Sequence, residues 1–276
     1  MNGLKNARAK KKTGRRVSSR KAKKISAEPK RILVTSALPY IHGMPHLGNI
    51  VGSVLPADVY SRYLKLAGKN FIYICGSDAH GTSYEVEAFK RGISPARLVD
   101  EYHREVQGIF KRYNISFTYY DSTHSAENRE LTYRIFSGLD KNRHLEEIES
   151  KNPYCEKDKM FLFDRFVEGR CPYCGGLTRG DQCNDCGKPV NAEDIKDSYC
   201  VLCKSPVTFK TTKHLYLKLQ DFQAWINEWS SGKKWSPLAV GETISWLKKG
   251  LQPRRITGDT KWGFPVPKKG YENKQL

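Results

Sequence analysis

Seven of the eight cysteines fall between positions 155 and 203, and six of them form Cys-x-x-Cys pairs. Cys171, Cys174, Cys183 and Cys186 make the pattern C-x2-C-x8-C-x2-C, the four-sulfur set that a tetrahedral structural zinc ion takes. Glycines follow the second cysteine of each pair ("CPYCGG", "CNDCGK"), as tight knuckle turns require. With no export signal ahead of them, cysteines so spaced point to metal rather than disulfides, and reduced buried thiols are the bland alternative. Four protein ligands leave no open position, so the expected role is structural. Cys200 and Cys203 supply one more knuckle, and Cys155 lies where a partner knuckle would begin.

The second concentration of chemistry is "ALPYIHGMPHLGN", residues 37–49. It joins an apolar run to a helical one, so the free N–H groups of a helix start face a strand end, where phosphate binds. His46 and Asn49 offer neutral hydrogen-bonding groups one turn apart. Such groups suit charge that moves during a reaction, because they do not hold the ground state as a lysine would. Gly48 has no side chain, so a flat ring can lie against its backbone. Taken alone, the turn reads first as a helix start with a capping histidine and a packing glycine. Asp78, just past the next apolar run, is placed either to meet a cationic ligand at the strand end or to cap the helix that follows.

Alternating elements must position these groups. "RILVTSAL" (31–38) and "NFIYICGSD" (70–78) predict buried strands, and "SFTYYD" (116–121) a third. Apolar residues at helical spacing predict a helix from His46 to Leu66. Ser94 and Pro95 open an amphipathic helix over 94–113. Strand–helix alternation predicts an α/β fold with a doubly wound parallel sheet, of which three strands are about half. The stretch 152–205 is rich in cysteine, glycine and turns, and 214–229 and 244–256 return to a helical or mixed pattern.

The formal charge of +19 is uneven: residues 1–31 hold 13 Lys or Arg against Glu28 alone, a net of +12 that leaves +7 for the rest of the 276 residues. That tail is too poor in apolar residues to bury a core and reads as disordered. It is either a solvated tail or a non-specific electrostatic arm for RNA. It lacks a secretory apolar segment, it shows no amphipathic face of a transit peptide, and no stretch in the chain is apolar enough to span a bilayer, so a cytoplasmic chain without membrane contact is expected.

The 37–49 turn resembles the His-x-Gly-His motif of class I aminoacyl-tRNA synthetases, in the Asn-ended form of archaeal and eukaryotic methionyl-tRNA synthetases. "YICGSDAHGT" (73–82), "STHSAENRE" (122–130), "FLFDRFVEGRCPYCGG" (161–176), "RGDQCNDCGK" (179–188) and "PRRITGDTKWGFPVP" (253–267) are similar to further blocks of that family, in order, over residues 32 to about 272. The resemblance implies the first half of a Rossmann-like catalytic domain over 32–120, and a connective insertion with zinc knuckles over 121–276. It implies activation of methionine by ATP with Mg2+, and transfer to tRNA(Met). Catalysis would fall to His46 and Asn49, ATP binding to His46, Gly48 and Asn49, and methionine binding to Leu38, Tyr40 and Asp78. The second knuckle pair would be Cys155 with Asp158, against Cys200 and Cys203. The family shows a cysteine where this chain has Asp158, so either a three-cysteine, one-aspartate zinc site or an empty one is expected. Related enzymes for Ile, Val and Leu carry a large editing insertion, because a pocket separates one methylene by only about 1–3 kcal/mol; the short metal-bearing insertion here favours methionine. Two departures stand out. Gly258 occupies a position where the family has arginine. The second half of the nucleotide fold and the Lys-Met-Ser-Lys-Ser loop are not in the sequence, which implies a companion protein chain carrying the C-terminal half. The rival expectation is a non-catalytic, zinc-knuckle RNA-binding or regulatory fragment.

Overall fold

In the computed structural model, residues 31–40, 45–162 and 166–276 are described. The basic tail expected over 1–31 therefore lies, except for Arg31, outside the described residues. Strands β1 (Ile32–Thr35), β2 (Phe71–Ser77) and β3 (Tyr119–Ser122) form a parallel sheet in that order. Leu33 pairs with Ile72, Val34 with Tyr73, and Ile74 with Tyr119. One face is a core: Val34 and Tyr73 pack with Ile50, Val54 and Leu64 and with Leu98, Val106 and Phe110. The last three lie on an amphipathic helix, Pro95–Arg112, whose Ser94 cap accepts the Arg97 N–H at 3.2 Å, as the Ser-Pro start predicts.

The helix expected over 46–66 is present but interrupted. A helical turn, Leu47–Asn49, gives way to a π-helical turn, Ile50–Val54, and then to α-helix, Leu55–Leu66. Such π turns often mark functional positions. This one carries Ser53, whose hydroxyl accepts the Ala37 N–H at 2.8 Å and so ties the helix to the chain leaving β1. Buried Tyr73 donates to the Val54 carbonyl at 3.0 Å where the turn ends.

Beyond β3, Ala126–Lys141 is helical, and β4 (Leu145–Cys155) begins a second region. It pairs antiparallel along its length with a strand over Thr208–Leu217, from Leu145 opposite Leu217 to Tyr154 opposite Thr208. The helical or mixed pattern expected over 214–229 is therefore mixed, a strand end followed by helix. His214–Leu217 finish the strand, a 3-10 turn spans Leu219–Phe222, and α-helix runs from Gln223 to Ser230. A second helix, Pro237–Lys249, bears out the pattern from 244. The cysteine-rich stretch between the long strands folds into short hairpins around its own core of Leu162, Phe166, Val167 and Ile195. Among the described residues no helix is long and apolar enough to cross a membrane.

Candidate functional site

Two arrangements stand out: the ends of the parallel strands, and the cysteine clusters. At the carboxyl ends of β1, β2 and β3, Thr35, Leu38, Cys75, Gly76, Asp121 and Asn128 line an open cleft of 360 Å3. Glycine is required at 76 because a Cβ there would meet the Asp121 carbonyl at 2.7 Å and the Leu38 side chain at 3.4 Å.

The chain leaving β1 comes back to β2 at Tyr40 and Asp78, which form a parallel bridge, and the Asp78 N–H donates to Pro39 at 2.9 Å. The Tyr40 hydroxyl meets Ser83 at 2.5 Å, and its ring stands edge-on to Tyr84 with centroids 5.0 Å apart. Tyr84 in turn donates to the Asp78 carbonyl. Gly81 makes room for this pair. Its φ is +127°, and a Cβ would run into the Tyr40 hydroxyl. The capping alternative for Asp78 does not hold: the following helix, Thr82–Arg91, has Gly81 as its cap and no side-chain cap hydrogen bond. Burial raises the Asp78 pKa, and the His80 backbone N–H partly offsets this. A carboxylate so desolvated gains from a cationic ligand.

The turn at 46–49 is well formed. The His46 N–H donates to Asn49 Oδ1 at 3.1 Å, and the Asn49 N–H to the His46 carbonyl at 2.9 Å. His46 is exposed, and its ring lies over Gly48, where a Cβ would come within 3.0 Å of it. Thus Leu38, Tyr40 and Asp78 gather at the strand ends, and His46, Gly48 and Asn49 open the following helix. Residues 41–44, between the two sets, lie outside the described residues.

Three groups that carried no role in the sequence reading stand against this site. His80 Nε2 and His124 Nδ1 are 2.8 Å apart, and both rings pack on Trp262 and Phe264. Trp262 Nε1–H donates to the Ala79 carbonyl at 2.7 Å, so the 256–266 segment is pinned beside Asp78. Burial, and next the neighbouring His124, push the His80 pKa down to about 4, and burial lowers the His124 pKa as well. "SDAHGT", "STHSA" and "TKWGF" contained these residues; their distance in sequence hid that they meet. Gly258, in the same segment, has ordinary backbone geometry, and a Cβ there would touch only Thr260 at 3.6 Å. Neither strain nor crowding demands glycine at 258.

Both candidate ligand clusters come together. In each, one ligand atom per residue lies within 4.8 Å of the others, for Cys171, Cys174, Cys183 and Cys186, and for Cys155, Asp158, Cys200 and Cys203. Tetrahedral zinc places sulfurs about 3.8 Å apart and sulfur and oxygen about 3.5 Å apart, from bonds of about 2.3 and 2.0 Å. The first site has Sγ–Sγ distances of 3.9 Å (Cys171–Cys186) and 3.7 Å (Cys174–Cys183). In the second, Asp158 Oδ2 is 3.2 Å from the sulfurs of both Cys155 and Cys200, and Cys155 is 3.4 Å from Cys203. The backbone repeats as well: Gly175, Gly187 and Lys204, each following a Cys-x-x-Cys, have φ of +75°, +70° and +60°, and Lys159, following Asp158, has +51°. Asp158 therefore stands at the second ligand position of a fourth knuckle of the same build. The donor sets and spacings fit a divalent thiophilic ion.

A family model, tRNA synthetases class I (M), matches residues 32–276. Among curated relatives, methionine–tRNA ligase of Sulfolobus acidocaldarius is 44% identical over 251 residues, 89% of this chain and 44% of that protein. That of Pyrococcus furiosus is 42% identical over 238 residues, 86% of this chain and 33% of that protein. Human cytoplasmic methionine–tRNA ligase is 42% identical over 253 residues, 90% of this chain and 28% of that one. The chain thus spans less than half the length of these relatives. A structure of Mycobacterium tuberculosis methionyl-tRNA synthetase in complex with methionyl-adenylate shares the fold, with a TM-score of 0.66 at 18% identity, covering 90% of this chain and 44% of that one.

Proposed function

The chain belongs to the class I (M) family of tRNA synthetases, and from that premise we propose that it is the methionine- and ATP-binding part of a methionine–tRNA ligase. The observation that carries the reading is the Tyr40–Asp78 pair, a desolvated carboxylate and a phenol held by backbone at the strand ends. Asp78 takes the α-ammonium of methionine, and Leu38 and Tyr40 give the polarisable thioether an aliphatic and aromatic wall. Gly48 lets adenine lie on the backbone. His46 and Asn49 hydrogen-bond the α-phosphate as the methionine carboxylate attacks it and pyrophosphate leaves, with Mg2+ accompanying ATP. Fixed neutral donors act here because they strengthen as charge builds up on the phosphoryl oxygens. The terminal adenosine of tRNA(Met) then takes the methionyl group, and AMP departs. Cys171, Cys174, Cys183 and Cys186, and Cys155, Asp158, Cys200 and Cys203, would each hold a zinc ion that cross-links the 121–276 insertion beside the 32–120 nucleotide fold. The site of action is the cytoplasm.

The rest of the catalytic fold comes from a C-terminal portion, as a companion chain or as continuous polypeptide. Supporting this, Leu33, Ile72, Ile74 and Tyr119 share one sheet face and are 64%, 45%, 36% and 69% exposed. A parallel sheet ordinarily has both faces covered.

The roles separate kinetically in the assembled enzyme. Asp78→Asn should raise the methionine KM by about 10- to 100-fold, the loss of a charge-assisted bond. His46→Ala should lower kcat for adenylate formation by about 100-fold or more, with a smaller change in KM. A His46→Ala enzyme of full activity would contradict the assignment.

A further inference from the structure

Asp259 and Trp262 stand three residues apart in the chain, yet they are fastened to different parts of the molecule. Asp259 is anchored in the insertion. Its carboxylate accepts from Thr212 Oγ1 at 3.1 Å, lies 3.1 Å from Nε2 of buried His214, and pairs with the Lys274 ammonium. Thr257 closes the same end, its hydroxyl accepting the Leu215 N–H at 2.9 Å. Trp262 is anchored at the strand-end site. Besides the indole N–H on the Ala79 carbonyl, the Lys261 N–H donates to Glu85 Oε1 at 2.5 Å, and the Trp262 backbone N–H donates to the same carboxylate. Residues 259–262 are thus a strap with one end in the antiparallel sheet and the other on the turn after β2.

The far end of the strap grips the backbone that carries Asp78. Ala79 is wholly buried and held on both sides: its N–H donates to Thr123 Oγ1 at 2.8 Å, and its carbonyl accepts the Trp262 indole. Glu85, in the first turn of the Thr82–Arg91 helix, takes two further N–H groups from the strap. Apolar packing alone would join the two regions. Hydrogen bonds aimed at Ala79 and Glu85 fix the orientation of the turn between them as well. A carboxylate that meets an ammonium group has to be held within about 0.5 Å of its working position, so whatever fixes this turn fixes the cation site.

We infer that Trp262 and Glu85 are positioning residues for methionine, holding Asp78 through the turn after β2, and that Asp259 ties this hold to the insertion. The inference rests on the proposed role of Asp78, and its test separates the two.

The test reads the methionine and ATP KM by pyrophosphate exchange in the assembled enzyme, and amide hydrogen exchange over residues 77–81 in the full chain. Trp262→Phe keeps a ring against His124 and removes the indole N–H. It should raise the methionine KM about 3- to 10-fold, the worth of one hydrogen bond, keep the ATP KM within about twofold, and speed exchange in the turn. Glu85→Ala should do the same. Glu85→Gln keeps an acceptor for the strap and should restore most of the affinity. Asp259→Asn should raise the methionine KM about threefold, again sparing ATP. In an Asp78→Asn background, Trp262→Phe should add less than about twofold, because the strap acts through a carboxylate already removed, whereas a general loosening would multiply in full. Full multiplication, equal rises in both KM values, or a methionine KM unmoved by Trp262→Phe and Glu85→Ala would overturn the inference. An unmoved methionine KM in Asp259→Asn would overturn the tie to the insertion. Indifference of the methionine KM to Asp78→Asn itself would refute the proposed role of Asp78, while faster exchange in Trp262→Phe would still sustain the hold on the turn.

Discussion

Replacing Asp158 by alanine tests how the second knuckle pair is built. Asp158 Oδ2 sits 3.2 Å from two of the three cysteine sulfurs of its cluster, and the left-handed turn at Lys159 gives its backbone the shape of a Cys-x-x-Cys knuckle. Structural zinc in small sites binds with about 10–16 kcal/mol, so one ligand of four accounts for about 3 kcal/mol, or roughly a hundredfold in affinity. The consequence reaches beyond the metal, because the cluster joins the end of β4 to a strand finishing at Cys200. Zinc per chain, measured by mass spectrometry on protein purified without added metal, should be two for the unaltered chain and one for Asp158→Ala. After Asp158→Ala is reloaded with zinc, chelator competition should show a fast-released ion in place of a slow one. Asp158→Cys should keep two ions, since the knuckle geometry is already that of cysteine. Two tightly held ions in Asp158→Ala, or a single ion in the unaltered chain, would refute the reasoning.

Two further outcomes follow from the strand-end site. Gly81→Ala forces a Cβ into Tyr40 at a φ of +127°, which should cost about 2–4 kcal/mol in urea unfolding, from backbone strain and overpacking together, and should weaken methionine binding more than ATP binding. Acid should destabilise the chain through His80, whose folded pKa lies at about 4. As pH falls below the ordinary value of about 6.5, the unfolded histidine takes a proton that the folded one refuses, so stability is full above that pH and declines toward pH 4. Partial solvent access limits the effect to about 1–2 kcal/mol. The urea midpoint difference between the chain and a His80→Asn variant should narrow across this window, and a constant difference would count against a depressed His80 pKa.

Much of the parallel half was legible because its signals are local. Val34 and Tyr73 sit in short apolar runs bounded by turn residues, and the Ser94 cap and its amphipathic helix need no distant partner. The knuckles were legible for the same reason, ligand spacing being a property of one stretch of chain. What escaped was set by tertiary pairing. The strand over Thr208–Leu217 is polar along most of its length; Lys213 meets Glu147 and Glu149 on β4, and Lys210 meets Glu156 just past its end. Such a strand shows no hydrophobic alternation, so the boundary between its "HLYL" end and the helix that starts at Gln223 was not visible within the mixed pattern of 214–229. The π turn at 50–54 also leaves no mark in apolar spacing. His80, His124 and Trp262 come from three separate segments and become one cluster only when the 256–266 segment folds back to Ala79. The Tyr40–Asp78 pair was named through family resemblance, whereas Gly81, which makes space for it, is visible only in three dimensions.

The proposed function requires that this half-sheet support methionyl-adenylate formation once the rest of the catalytic fold is present. Methionine-dependent ATP–pyrophosphate exchange, run on the zinc-loaded chain alone and then with a C-terminal half of the family added, tests it most directly. Exchange in the mixture, little or none with either part alone, and its loss in His46→Ala are the predicted results. No exchange in the mixture, from parts that are folded and bound to each other, would contradict the account.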